Sequence, residues 1–163
     1  MLSLGIDPGT ATIGYGLVRE LPDSSLQAVD FGVISTPAAL AMPERLRLIY
    51  EHVTDLINKY HPDRAGVEEL FFARNVTTAI TVAQGRGVIL LALTLAGVPL
   101  MEYKPNNVKQ SISGYGGAPK AQMQEMVRML LGLETVPQPD DAADALAVAI
   151  TDLHSARFAQ LLE

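Results

Sequence analysis

Carboxylate side chains stand at the ends of three apolar segments, where they can face an open cleft. Asp7 follows one apolar run and precedes Pro-Gly. The other two ends carry Glu68 with Glu69, and Asp141 with Asp144. The chain has no Cys and only three His, so oxygen atoms are the best available metal ligands. Mg²⁺ prefers such oxygens, and two Mg²⁺ ions about 4 Å apart can hydrolyse phosphodiesters, so the pattern predicts a metal-dependent phosphodiesterase site.

Each of these carboxylates also has a purely structural interpretation. An Asp before Pro-Gly is ordinary turn chemistry, and Asp141 and Asp144 suit the first turn of a helix because they complement its dipole. Glu68 and Glu69 should point to opposite sides of a strand, so that one faces solvent while the other lines a site. The functional interpretation therefore rests on the three segments taken together.

The charge distribution favours a phosphate-binding middle segment despite a net charge of −6. Residues 71–128 carry six basic and two acidic side chains, whereas residues 1–70 carry five and ten and residues 129–163 carry one and six. Contacts of Lys and Arg with phosphate dominate the affinity of most DNA-binding proteins. A basic middle between acidic ends fits a metal site beside a nucleic-acid surface, although surface charge also clusters without function.

Length and hydropathy predict one compact, cytoplasmic domain spanning residues 1–163. A chain of 163 residues can bury about two-thirds of the surface that its unfolded form exposes. The first residues lack the basic leader and apolar core of a signal peptide. The apolar stretch 87–101 is interrupted by Gly97 and Pro99 and falls short of the roughly 20 residues of a membrane span. We therefore expect neither export nor membrane insertion.

The periodicity of apolar residues predicts an α/β domain with a mixed sheet. Alternating runs favour an antiparallel meander of three strands, and the later strand-helix-strand units require parallel neighbours. The predicted strands are 2–7, 13–19, 26–36, 64–70 and 98–103, and the predicted helices are 43–60, 75–96, 105–112, 119–131 and 140–154. The sheet is therefore expected to have five strands and to be flanked by helices.

Five sequence motifs, in order along nearly the whole chain, carry a family resemblance. They are GIDPGT at 5–10 with GYG at 14–16, VEELFFARN at 67–75, QGRGV at 84–88, VKQSISGYG at 108–116 and DDAADALAVAIT at 140–151. With these motifs the chain resembles the RuvC family of bacterial crossover junction endodeoxyribonucleases. The resemblance implies an RNase H-like fold, a homodimer, and two symmetric incisions that resolve Holliday junctions in DNA recombination and repair.

The resemblance also implies the residues of the metal site. The four acidic positions of the family pattern, which are expected to hold two Mg²⁺ ions with Mn²⁺ as a substitute, fall on Asp7, Glu68, Asp141 and Asp144. Glu68 is preferred to Glu69 because the glutamate of the family precedes a Phe by three residues, as Glu68 does here. Asp140 directly precedes Asp141 and stays open as an alternative ligand or a helix cap.

Basic and aromatic positions of the family pattern imply DNA contacts. Lys109 and Lys120 match basic residues near the active site, where ammonium groups hold the scissile phosphate and stabilise developing charge. Phe71 matches an aromatic residue at the junction centre that stacks on an unpaired base, although composition alone would place it in the core. The remaining cations Arg74, Arg86 and Lys104 are interpreted as solvated or dimer-facing, with Arg74 kept as a DNA-binding candidate.

Partners and competing functions complete the prediction. The resemblance implies the branch-migration proteins RuvA and RuvB as partners, and the apolar helix from Val76 to Ala96 is the expected dimer face. GIDPGT is also similar to the phosphate loop of actin-like sugar kinases and chaperone ATPases, but the chain has about half their length and no internal repeat. A resolvase-like nuclease of RNA processing and a non-catalytic junction-binding module remain as alternatives.

Overall fold

The computed structural model describes residues 1–70 and 76–161. The strands are β1 (Leu2–Asp7), β2 (Thr12–Glu20), β3 (Leu26–Ser35), β4 (Arg64–Glu68) and β5 (Leu100–Tyr103). The helices are α1 (Met42–Tyr60), α2 (Val76–Leu95), α3 (Pro105–Ser113), α4 (Lys120–Leu130) and α5 (Asp140–Gln160). The predicted order of strands and helices is therefore confirmed.

The strands form one mixed sheet in the order β3-β2-β1-β4-β5. β1 pairs antiparallel with β2 and β2 with β3, whereas the β1–β4 and β4–β5 pairs are parallel. The predicted meander followed by parallel strands is thus correct. Because β1 and β4 are parallel neighbours, their C-terminal residues, Asp7 and Glu68, meet at the same end of the sheet.

Helices cover both faces of this sheet because both faces are apolar. On one face α1 and α2 bury side chains such as Val53 and Leu93 against the strands. On the other face α3, α4 and α5 form a second cluster that includes Val108, Val127 and Leu146. Successive residues of a strand alternate between these two layers, and the layer with α5 receives Asp7.

Glycines beneath α5 let this helix approach the central strands very closely. A Cβ added at Gly5 of β1 would lie 2.1 Å from the carbonyl oxygen of Ala145, and one added at Gly14 of β2 would lie 1.9 Å from that of Asp141. Only hydrogen fits at either position. α5 is in consequence buried on nearly all sides from Ala142 to Leu153.

Three predicted boundaries differ from the structure by two residues or more. α5 continues to Gln160 instead of ending near residue 154, since no Gly or Pro interrupts it and Ala156 is buried. β5 begins at Leu100 because Gly97 adopts a left-handed conformation, with φ 69°, and Pro99 has no amide hydrogen to donate. β4 ends at Glu68, which is its last residue in register with a residue of β5.

The helix α2 carries an exposed apolar surface. Its stretch Thr77–Leu95 is long and apolar enough to cross a membrane by length and composition alone, and only 22% of it is buried in the part of the chain that the structure describes. This stretch begins earlier than the apolar run 87–101 noted in the sequence. Large side chains at its surface include Ile80, Leu91 and Leu95.

Candidate active site

Three carboxylates from two elements meet beside the C-terminal end of β1. One oxygen from each of Asp7, Asp141 and Asp144 lies within 4.8 Å of the other two. Asp7 is the last residue of β1 and faces α5, while Asp141 and Asp144 lie about one turn apart at the start of that helix. Three acidic oxygens at this spacing can share a divalent cation.

Glu68 reaches the same group from β4. Ile6 and Val67 are paired across the parallel β1–β4 ladder, so Asp7 and Glu68 follow side by side, and their side chains share a hydrogen bond. The backbone amide of Glu69 instead extends the pairing with β5 through a hydrogen bond of 2.8 Å. The structure therefore brings Glu68 to the three aspartates.

Crowding of these carboxylates makes their ionisation unfavourable. Burial, followed by repulsion from Glu68, Asp144 and Asp141, raises the pKa of Asp7 from 3.8 to about 8. Burial likewise raises the pKa of Glu68 and that of Asp144. A cation bound among these oxygens would offset both the burial and the repulsion. The electrostatics of the site thus favour occupation by positive charge.

Two lysines line the cavity next to this group. The cavity has a volume of about 220 Å³, and its lining includes Glu68, Lys109, Lys120 and Asp144. The Nζ atom of Lys120 lies 3.1 Å from Oδ2 of Asp144. A larger cavity of about 340 Å³ lies between the meander and α1, away from these side chains. The acidic group, and not this larger cavity, is therefore the candidate place for chemistry.

Asp140, the alternative to Asp141, lies outside the acidic group. Its carboxylate accepts a hydrogen bond of 2.9 Å from the side chain of Gln124 and lies 3.2 Å from Nζ of Lys120. The side chain is exposed, and these two contacts attach the start of α5 to α4. Asp141 faces the other way, toward Asp7.

Comparison with known proteins assigns the family. A family model described as "Crossover junction endodeoxyribonuclease RuvC" matches residues 3–152. The chain belongs to this RuvC family. The protein of that name from Chloroflexus aggregans is 58% identical over 156 residues, which cover 96% of this chain and 94% of that protein. The protein of that name from Syntrophomonas wolfei is 55% identical over 163 residues, covering 100% and 94%.

A solved structure agrees with this RuvC assignment. "T. thermophilus RuvC in complex with Holliday junction substrate" is similar with a TM-score of 0.88 and 34% identity, over 97% of this chain and 96% of that chain. The fold is accordingly RNase H-like, and this RuvC-family chain is a crossover junction endodeoxyribonuclease. The competing interpretation of GIDPGT as a kinase or ATPase phosphate loop is set aside.

One cation of this RuvC-family chain lies where the sequence interpretation did not place it. Arg86 was expected to be solvated or dimer-facing, but its side chain is only 15% exposed. Its Nε donates a 3.0 Å hydrogen bond to the backbone oxygen of Glu68, and its Nη2 forms an ion pair with Glu102. The expectation of a solvated side chain is therefore wrong, because Arg86 supports the strand end that carries Glu68, whereas the dimer-facing alternative stays a prediction. The sequence signal was that Arg86 is the only charged residue in the apolar helix α2.

Of the remaining predicted residues, the structure describes only Lys104. Phe71 and Arg74 lie outside the described residues, so their expected DNA contacts stay predictions. Lys104 is exposed immediately before α3, as its interpretation as a solvated residue requires.

Proposed function

We propose that this chain binds four-way DNA junctions and cuts two strands at symmetric positions by Mg²⁺-dependent hydrolysis. The observation that carries the proposal is the meeting of carboxylates from β1, β4 and α5 beside two lysines. The solved complex of the T. thermophilus RuvC with Holliday junction substrate supports this class of DNA. The residues assigned to catalysis are Asp7, Glu68, Asp141, Asp144, Lys109 and Lys120.

The donor set fits hard divalent cations. Carboxylate oxygens are the ligands that Mg²⁺ and Mn²⁺ prefer. The raised pKa of Asp7 means that its ionised form is unfavourable unless a positive charge lies nearby. In this proposal the four carboxylates hold two Mg²⁺ ions, for which Mn²⁺ can substitute. Such ions, when bound, supply an activated water and stabilise the departing oxygen of the phosphodiester. Because the pKa of Asp7 and that of Glu68 are both raised, binding of a cation between these carboxylates would release protons.

Lys109 and Lys120 hold the scissile phosphate in this proposal. Both line the cavity that Glu68 and Asp144 also line. The side chain of Lys120 is 53% exposed, so its ammonium group is able to turn from Asp144 to an incoming phosphate. An ammonium group aimed at a phosphate stabilises the negative charge that develops as the bond breaks.

Phe71 and Arg74 complete the DNA surface on the strength of the motif VEELFFARN. Phe71 stacks on an unpaired base at the junction centre, an interaction that contributes about 1–3 kcal/mol per base in other proteins. Arg74 is kept as a candidate for a contact with DNA. Unpaired bases belong to single-stranded or distorted DNA, which a junction provides at its centre.

The active form is a homodimer that joins through α2. On this helix Ile80, Leu91 and Leu95 are 55%, 52% and 66% exposed, and an exposed apolar face of this kind marks an interface. A two-fold dimer uses the same patch on both subunits and presents two identical sites. Two identical sites account for two symmetric cuts.

The location and further partners of the enzyme belong to the same proposal. We place it in the cytoplasm, where the branch-migration proteins RuvA and RuvB direct it to junctions. These assignments rest on the family resemblance, since the junction is the shared substrate of such proteins.

Cutting of a synthetic four-way junction tests this function. We expect paired nicks at symmetric positions in opposing strands when Mg²⁺ or Mn²⁺ is added, and no nicks in chelator. Asp144→Asn should bind the junction and fail to cut it. Asp55→Asn, an exposed carboxylate of α1 on the other side of the sheet, should cut like the wild type.

Junction binding without cleavage by any divalent cation would instead identify a non-catalytic binding module. Cleavage by Asp144→Asn at the wild-type rate would show that the site assignment is wrong, even if the enzyme assignment holds.

A further inference from the structure

A buried carboxylate far from the active site connects α5 to three strands. Asp152 is 0% exposed. It accepts a hydrogen bond of 2.7 Å from Oγ of Ser3 on β1 and one of 2.8 Å from the hydroxyl of Tyr103 on β5. Arg64 of β4 donates two more, of 2.6 Å from Nε and 2.8 Å from Nη2. Four donor atoms from three strands thus converge on one helical residue. We call Ser3, Arg64, Tyr103 and Asp152 the Asp152 network.

The rest of the contact between α5 and the sheet is made mainly by apolar side chains and by backbone atoms. Half of the twelve buried residues of the helix are alanine, and its backbone lies directly on glycine, as at Gly5 beneath Ala145 and Ala149; the larger contacts with the strands, such as those of Leu146 and Val148, are apolar. The small residues let the helix approach the strands closely. They interdigitate little with the strands, so they resist sliding of the helix along its axis only weakly. Hydrogen bonds are directional, and buried polar groups are best known for fixing one register among several. Among the described residues, the Asp152 network supplies the directional side-chain hydrogen bonds between α5 and the strands.

Three of these four elements, β1, β4 and α5, also carry the acidic group, at their other ends. Ser3 and Arg64 are paired across the β1–β4 ladder, and four residues further along these strands stand Asp7 and Glu68. Four strand residues span about 13 Å. On α5, Asp144 precedes Asp152 by eight residues, which span about 12 Å of helix. Equal lengths of strand and helix thus lead from the network to the carboxylates.

We infer that the Asp152 network positions Asp141 and Asp144 for metal binding by fixing the register of α5 against β1 and β4. Asp152 touches neither DNA nor cation in this role, so it is a positioning residue. Asp7 lies on β1, whereas Asp141 and Asp144 lie on α5. A shift of α5 along its axis by even a fraction of a helical turn would therefore move both aspartates out of position relative to Asp7. The inference rests on the proposed metal site and adds the device that holds it together.

Binding of Mn²⁺ alone, followed by calorimetry without DNA, tests this inference. Ser3→Ala and Tyr103→Phe each remove one donor and keep the packing, whereas Asp152→Asn removes the negative charge opposite the guanidinium of Arg64 and leaves one acceptor oxygen for the four donors. We expect each variant to bind Mn²⁺ more weakly, with a loss of about 10- to 100-fold for Asp152→Asn, as for supporting groups of other metal sites. Val53→Ala, which opens a gap in the fully buried contact of α1, is the matched control and should keep wild-type affinity.

A second measurement follows the helix itself in metal-free protein. Amide hydrogen exchange at residues 141–146 should be faster in the network variants than in Val53→Ala. If Asp152→Asn does not fold, Ser3→Ala and Tyr103→Phe decide the question. Wild-type Mn²⁺ affinity and wild-type exchange in folded network variants would overturn the inference, as would an equal loss of affinity in Val53→Ala. Failure of the wild type to bind Mn²⁺ would count against the proposed function instead, and hydrogen exchange would still test the network.

Discussion

The Nζ atom of Lys120 lies 3.1 Å from Oδ2 of Asp144, which joins α4 to the acidic end of α5. The lysine thereby offsets part of the negative charge of the acidic group while no cation is bound. In the proposed function the same ammonium group, whose side chain is 53% exposed, turns to the scissile phosphate when DNA binds. Its removal should therefore affect the protein both before and during cleavage.

Lys120→Met should slow cleavage more than it weakens junction binding. Loss of one group that stabilises developing charge costs about 10²- to 10³-fold in kcat in comparable sites. The measurement is single-turnover cutting of a synthetic junction, with the affinity determined separately in Ca²⁺. Lys59→Met is the control, because Lys59 lies over the ring of Tyr60 on α1 and is not part of the site. Equal cutting rates for Lys120→Met and the wild type would remove Lys120 from the catalytic group.

Asp7 should make the metal-free protein less stable as the pH rises. Its pKa is 3.8 in an unfolded chain and about 8 in the folded protein, so the folded state keeps a proton that the unfolded state releases. The contribution of this proton to stability is complete below about pH 4 and is lost by about pH 8. Asp7→Asn should accordingly raise the Tm of the metal-free protein at pH 8, although the variant cannot cut DNA.

Thermal denaturation in chelator at a series of pH values checks this expectation. The gain from Asp7→Asn should shrink toward pH 4, and Asp55→Asn should show no such trend. Added Mg²⁺ should raise the Tm of the wild type by binding the folded state and should raise that of Asp7→Asn much less. A variant with the same pH profile as the wild type would show that Asp7 is not the crowded carboxylate.

Arg86 should be needed for both stability and cleavage. Arg86→Met removes a hydrogen bond to the backbone of Glu68 and the ion pair with Glu102, and leaves a mostly buried oxygen with one donor fewer. Loss of such a contact costs roughly 1–3 kcal/mol. Denaturant unfolding and junction cutting are the measurements. Arg47→Met, which breaks an exposed ion pair with Glu51, should cost less than about 0.5 kcal/mol and leave cutting intact.

The exposed face of α2 should control assembly. Leu91→Glu places a charge on the face that includes Ile80 and Leu95, and should shift the protein from dimer to monomer. Sedimentation velocity at micromolar concentration measures this shift. Met129→Glu makes the same change at an equally exposed methionine of α4 and should leave the mass unchanged. Dimers of unaltered stability in Leu91→Glu would place the interface elsewhere.

Sequence alone predicted the architecture well because its signals are local. Apolar periodicity, with turns at Pro-Gly and Gly97, separates the strands from the helices, and the strand-helix-strand units require the parallel pairs. The carboxylates at element ends were also visible, since strands that are parallel neighbours end on the same side. The spacing of Asp141 and Asp144 then placed both on one face of α5.

Contacts between distant residues were not predictable in the same way. Nothing near Asp152 in the sequence points to Ser3, Arg64 or Tyr103, because only the completed fold brings them together. The isolated charge of Arg86 signalled a buried partner without identifying Glu68. Such partners depend on which strand lies beneath which helix, and local patterns do not contain that information.

The glycines beneath α5, Gly5 and Gly14, determine which substitutions this protein tolerates at its centre. Any larger residue at position 5 or 14 would collide with the helix backbone, so a mutational scan should find these positions as intolerant as Asp7. Neither glycine takes part in catalysis. Substitution is restricted there only because no space is left for a side chain. A larger side chain at either glycine would therefore need a compensating change in α5, whereas exposed positions carry no such constraint.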